Sequence, residues 1–329
     1  MAEQPRPYVL RGGQQTYPQP YDIEGVRFYS FVLDADYDAL ESYVDRVLNG
    51  PAGGAVVYKP LVGRVMLGLM ESTRIWAGPP EKRLFSVAER DLAFWIPVVS
   101  VQKLGPIEFA TRLVWYMSYV IVDDSWAVAM GREVYGFPKE LGNFDQQPPV
   151  GPGGPASTFL ERLKVETLAV KEYGPAAAPS FQPVVEIRRT GAEPGAAART
   201  WETLEEAARE FLGILAGGDR VTLPGLGIVH EMFEFFEHRE YPLIFLKQFR
   251  DHADGNLACY QAVVEALVRV GKFRSAGWLP GTYEVAIESY ASHPIVADLG
   301  LGGGTPPVVA AAYLDFDFTM ENGTLVAGG

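Results

Sequence analysis

The chain has 329 residues, enough for one large domain or two, and its 48% hydrophobic and 21% charged residues are those of a globular protein rather than a disordered one. A formal net charge of −13 argues against nucleic acid, whose phosphates need a basic face, and against an anionic membrane surface as the main partner, although one local cation would suffice to hold a small anionic substrate. The single cysteine, Cys259, excludes an internal disulfide and a zinc site built on several thiolates. The four histidines, His230, His238, His252 and His293, show neither HxH nor HExxH spacing, which argues against a metal.

The first twenty residues, rich in Pro, Gln and Gly, lack the apolar core of a secretory signal and read as an extended arm. The longest apolar run, Leu113 to Val122, is about half a membrane span, so a cytoplasmic protein is expected. Val26 to Leu33 reads as a strand. Asp36 then offers an N-cap to a helix through Leu48, with Leu40, Tyr43, Val44 and Val47 on one face and Asn49-Gly50-Pro51 as its end. Strands are expected at 55–59, 62–70, 94–102, 111–122 and 125–130, with turns at 105–106 and 123–124. Residues 147–156 form a Pro- and Gly-rich loop, and low-complexity stretches follow at 174–180 and 190–199. From Thr200 to Arg239 the pattern is helical. Strand-like runs then occupy 242–249, 258–269, 281–289 and 307–318, with Cys259 expected as a buried, inert thiol in one of them. No strict strand–helix alternation and no GxGxxG between strand and helix appear, which predicts a mostly antiparallel α+β fold rather than a doubly wound nucleotide fold.

The segment richest in chemistry is Trp126 to Phe144, WAVAMGREVYGFPKELGNF. Its Gly131-Arg132-Glu133, the aromatic spacer with Tyr135 and Phe137, and the Pro138-Lys139 pair resemble, in order and spacing, the lysine segment of the acetoacetate decarboxylase superfamily. Weaker likeness extends to FVLDADYDALESYV (31–44), FWIPVVSV (94–101) and FLKQFRDHADGNLACYQAVVEA (245–266). Residues 190–240 fit least.

The resemblance implies a cone-shaped antiparallel β-barrel with peripheral helices. Residues 21–329 would be one domain with a helical insertion near 200–240. It also implies a homo-oligomer, a small keto acid as the partner, and Lys139 as a Schiff-base lysine that needs no cofactor. The physics of that lysine is general. An amine attacks a ketone only when neutral, and an ordinary lysine is almost wholly protonated at pH 7. Burial among residues such as Val134, Tyr135, Phe137 and Leu141 opposes the charge. The iminium then withdraws electrons so that carbon dioxide can leave a β-keto acid.

Taken alone, Lys139 would be a solvated loop lysine. Arg132 and Glu133 read as a hydrogen-bonding pair that shapes the turn, in support of the lysine rather than in contact with substrate. Tyr135 and Phe137 are candidates for the substrate wall.

Family members usually carry a second lysine after the first, where this chain has Glu140. An extended backbone would send Glu140 to the opposite side. The family's substrate-holding arginine near the first strand has Arg27 as its candidate here, although alignment through Asp38-Ala39-Leu40 places Val26 at that position. The proton-shuttling acid, six residues before the Pro of the Ile-Pro strand, falls on Asp91, with Glu89 two residues earlier. Its other inner acid has no counterpart in RVMLGLM (64–70), and Glu71 lies just beyond. A pocket poor in acids would suit a related chemistry, aldolase or dehydratase action on 2-keto acids and aldehydes. A barrel that only binds a hydrophobic small molecule is the third reading.

Overall fold

The computed structural model describes residues 7–13, 15–79, 83–104, 107–147, 160–191, 200–216 and 239–329. The predicted turn at 105–106, residues 148–156 of the predicted loop 147–156, residues 192–199 of the low-complexity stretch 190–199 and residues 217–238 of the expected helical insertion lie outside the described residues.

The first expected strand is the centre of β1 (Tyr21–Asp34). Asp36 caps the helix α1 (Tyr37–Val44), its carboxylate accepting from the Ala39 N–H at 2.8 Å. The helix continues through a π-helical turn to Ala52, beyond the Asn49-Gly50-Pro51 expected to end it, and stops where Gly53 takes φ 60°.

Next come β2 (Val57–Pro60), β3 (Arg64–Ala77), β4 (Ser86–Leu104) and β5 (Ile107–Val122). The strand expected at 125–130 is instead a helix, α2 (Ser125–Met130). Asp124 accepts from the N–H groups of Trp126 and Ala127 at 2.9 and 3.0 Å, and this local cap outweighs the strand-like composition of SWAVAM.

Then follow β6 (Lys139–Gln147), β7 (Arg162–Ala169), β8 (Ser180–Gly191), the two-residue β9 (Thr200–Trp201) and α3 (Leu204–Ala216). The chain ends with β10 (Glu240–Arg250), β11 (Ala258–Trp278), β12 (Thr282–Ile287), α4 (Ile295–Leu299), β13 (Val308–Met320) and β14 (Thr324–Gly328).

The strand order runs β12-β8-β7-β6-β5-β10-β11-β13-β1-β3-β4-β2, and an additional β4–β5 pairing joins the path to itself. Strands β4, β5, β10, β11, β13, β1 and β3 therefore close into a ring, which leaves no free edge among them. From β5 the strands β6, β7, β8 and β12 extend outward. Pairing is antiparallel except at β5–β6 and β5–β10. This is the mostly antiparallel α+β fold that the sequence predicts. No helix among the described residues is long and apolar enough to cross a membrane.

Cys259 departs from expectation. It is exposed, its thiol near the Arg250 carbonyl. The β10–β11 hairpin runs past the packed sheet at this end, where Gln248, Phe249 and Arg250 are exposed too, so an apolar sequence is no guarantee of burial.

Candidate active site

Of the apolar clusters in the interior, one of the two large ones supplies much of the lining of a cavity of about 240 Å³. Lys139 opens β6 beside Val120 of β5. Three local features bring it there. The π-helical turn Gly131–Tyr135 ends at Gly136, which takes φ 95° and lies against the backbone of Lys247 so closely that a Cβ would have no room. Gly131 provides the bed for the lysine stem: a Cβ there would stand 2.7 Å from Lys139 Cδ. Arg132 donates to the Lys139 carbonyl at 3.2 Å.

Glu133 accepts from the Tyr8 and Thr16 hydroxyls at 2.5 and 3.2 Å and so ties the N-terminal arm to the turn. Arg132 and Glu133 thus touch backbone and arm, and neither lines the cavity.

Lys139 is 8% exposed, and its Nζ donates to Glu89 Oε1 at 2.5 Å. Glu89 is held in register by Ser72, whose hydroxyl meets both its N–H and its carbonyl, at 3.3 and 3.2 Å. Asp91 follows on the same face of β4, 4% exposed, with one oxygen that has no hydrogen-bond partner. Burial is the main force on both acids. It raises the Glu89 pKa against the opposing pull of the Lys139 charge, and it raises Asp91 well above the carboxylate range, with repulsion from Glu89 adding to the effect.

Phe137 sets its ring 5.2 Å from Lys139 Nζ. Tyr135 turns its hydroxyl away to the Glu321 carbonyl at 2.9 Å and presents its ring to the cavity. Glu140 points to the other side of β6, where His293 Nε2 lies 2.8 Å from its Oε2. The cavity-facing lysine is therefore spared that negative neighbour.

Arg27 is the expectation that the structure corrects. Tyr21 and Ile23 line the cavity, but Gly25, at φ 65°, forms a bulge between Ile23 and Val26 that adds one residue to the alternation. Phe28 and Ser30 then face the cavity, and Arg27 is turned to the other face of the sheet. There it makes a two-pronged pair with Asp315 at 2.9 and 3.1 Å. Val26, the aligned position, is buried with the cavity-side cluster.

Glu71 sits opposite Arg27 in the register, 2% exposed, with both oxygens buried and unpartnered. Burial lifts its pKa from 4.5 to about 7. The folded protein thus keeps a proton that the unfolded chain releases between those values. Wild-type stability should fall as pH rises through that window. Glu71→Gln, which cannot ionise, should match wild type in urea unfolding near pH 4 and exceed it at pH 8 by up to roughly 3 kcal/mol. Equal stability at both pH values would refute the burial argument.

The geometry thus defines a lysine-centred class of protein: a closed ring of strands around an apolar cavity, with a buried amine joined to one acid and close to a second. The family model for acetoacetate decarboxylase (ADC) matches residues 5–182, and the chain belongs to that family. No curated protein matches the sequence.

Among solved structures, the chain is similar to the acetoacetate decarboxylase of Legionella pneumophila subsp. pneumophila str. Philadelphia 1, with TM-score 0.57 and 16% identity over 99% of this chain and 94% of that one. An acetoacetate decarboxylase-like enzyme from Sphingomonas wittichii RW1 gives TM-score 0.55 and 13% identity over 98% of each chain. The enduracididine biosynthesis enzyme MppR, complexed with the condensation product of pyruvate and imidazole 4-carboxaldehyde, gives 0.53 and 13% over 96% of this chain and 92% of that one. At such identities the likeness is one of fold.

Proposed function

We propose that the chain is a Schiff-base enzyme that decarboxylates a β-keto acid at Lys139. The observation that carries the reading is the 2.5 Å contact of Lys139 Nζ with Glu89 in the wall of an apolar cavity. Glu89, its proton affinity raised by burial, takes the ammonium proton. The freed amine adds to the ketone, and loss of water gives the iminium. The bond to the carboxylate then breaks, its electron pair moves to the iminium nitrogen, and carbon dioxide leaves. The resulting enamine takes a proton at carbon from Asp91, which burial keeps protonated. Water attack releases the ketone and the amine.

No other cation among the described residues lines the cavity, so the departing carboxylate has only the iminium as counter-charge. A charge held in apolar surroundings is costly, and losing carbon dioxide removes that cost.

The fold similarity to MppR, which holds a condensation product, and the room in the cavity favour a second reading, aldolase or dehydratase chemistry in which the enamine attacks an aldehyde. A single domain over 21–329, a homo-oligomer, a keto-acid partner and a cytoplasmic location belong to the same proposal and rest on the family.

The test is borohydride reduction with acetoacetate and, separately, pyruvate, followed by peptide mass spectrometry, with carbon dioxide release measured in parallel. An adduct on Lys139 with carbon dioxide release supports the decarboxylase. An adduct with pyruvate and aldehyde but no release supports the aldolase. No adduct with any ketone from pH 5 to 9 would leave a binding barrel.

A further inference from the structure

The cavity carries more information than its lysine. Lys139, Glu89 and Asp91 are the only charged residues among its described walls. Its hydroxyls are turned elsewhere: the Tyr21 hydroxyl donates to the Tyr17 carbonyl at 2.7 Å, the Tyr135 hydroxyl donates to the Glu321 carbonyl, and Ser30 Oγ lies 3.5 Å from the Ala312 carbonyl, while the buried indole N–H groups of Trp95 and Trp201 have no hydrogen-bond partner.

Away from the acids the wall is aromatic and aliphatic. Phe28 packs edge-on against Trp95 with centroids 6.0 Å apart, and Trp95 against Trp115 at 6.3 Å. Along β4 the run from Glu89 to Trp95, both in the cavity wall, covers roughly 20 Å at ~3.3 Å per residue. A three- or four-carbon keto acid held at Lys139 would leave most of this wall without a partner. A charged tail would be desolvated there against an aromatic and aliphatic surface, at a cost that an indole N–H alone does not offset. Trp201, Leu204 and Ala207 also line the cavity and follow the stretch matched by the family model, so part of the wall is contributed by a portion of the chain outside that match.

We propose that the substrate is a ketone or β-keto acid whose carbonyl bears a long, uncharged hydrocarbon or aryl substituent, seated on the Phe28, Trp95 and Trp115 wall. The proposal deepens the Schiff-base reading and rests on it for the position of the carbonyl.

The experiment is a series of straight-chain 2-alkanones from acetone to 2-undecanone, trapped on the full-length protein with borohydride. In parallel, tryptophan fluorescence follows binding of the same ketones to Lys139→Met. The half-saturating concentration for trapping should fall about fourfold per added methylene until the wall is covered. A ketone of equal length ending in a carboxylate should lose that gain.

If acetone and acetoacetate are trapped as well as the long ketones, the apolar subsite is wrong while the iminium stands. If no ketone is trapped but Lys139→Met binds alkanones with the same chain-length dependence, the subsite stands and the iminium reading falls. Failure of both readouts overturns both.

Discussion

Lys139→Met should reduce turnover by at least a thousandfold and abolish the borohydride adduct, because no other lysine lines the cavity among the described residues. The effect on folding separates a catalytic role from a structural one. Lys139 and Glu89 form a buried ion pair, with side chains 10% and 2% exposed. Removing one partner leaves a buried carboxylate, which at neutral pH costs about 3–5 kcal/mol unless it takes up a proton. Lys139→Met should therefore lose stability at pH 8 and recover much of it at pH 5, where Glu89 protonates more readily, its pKa being raised by burial. The double variant Lys139→Met with Glu89→Leu should be at least as stable as wild type, since buried pairs replaced by apolar residues of similar volume are commonly neutral or better. Such an outcome would mean that the pair is kept for chemistry. A double variant that fails to fold while its components do not would instead assign the pair to the architecture.

Glu89→Gln should lower the rate of iminium formation by about a hundred- to a thousandfold, the usual contribution of a positioned proton acceptor. The sign of the pH effect follows from the two acids. Glu89 must be ionised to receive the lysine proton, so wild-type activity should fall as pH drops through its raised pKa, above the ordinary carboxylate range. Asp91 must be protonated to deliver a proton to the enamine, so activity should fall again as rising pH ionises it, burial and repulsion from Glu89 holding its pKa well above the carboxylate range. A bell-shaped profile results, and its limbs belong to the coupled group of acids rather than to single residues. Glu89→Gln should flatten the acid limb and Asp91→Asn the alkaline limb. Unchanged limbs in both variants would remove these acids from the proton path. Circular dichroism on each variant guards against a general loss of fold.

Features set by local chemistry are legible in the amino-acid sequence. Asp36 caps its helix as its position suggests. The run GREVYGFPK identifies the lysine because Gly131, Arg132 and Gly136 each serve the local geometry that delivers Lys139. The separation of Glu140 from the cavity follows from strand alternation alone. Composition misleads where a short-range device competes with it, as when the Asp124 cap turns an apolar hexapeptide into α2.

The walls of the cavity are not legible in the same way. Trp95, Trp115 and Trp201 carry no spacing signal, since aromatic residues in strands are ordinarily core. Glu71 stands next to an apolar run in the sequence, but its burial opposite Arg27 is a matter of sheet register.

Residue identity at short spacing is enough for the family, the lysine and the two acids on one strand face. It takes the folded chain to bring Glu89, fifty positions away, against Lys139. The folded chain is also what turns Arg27 from the cavity, through the Gly25 bulge. Both outcomes depend on how β1, β3, β4, β5 and β6 pair, and strand register, in which one added residue exchanges the two faces, is set by the packing of the whole sheet.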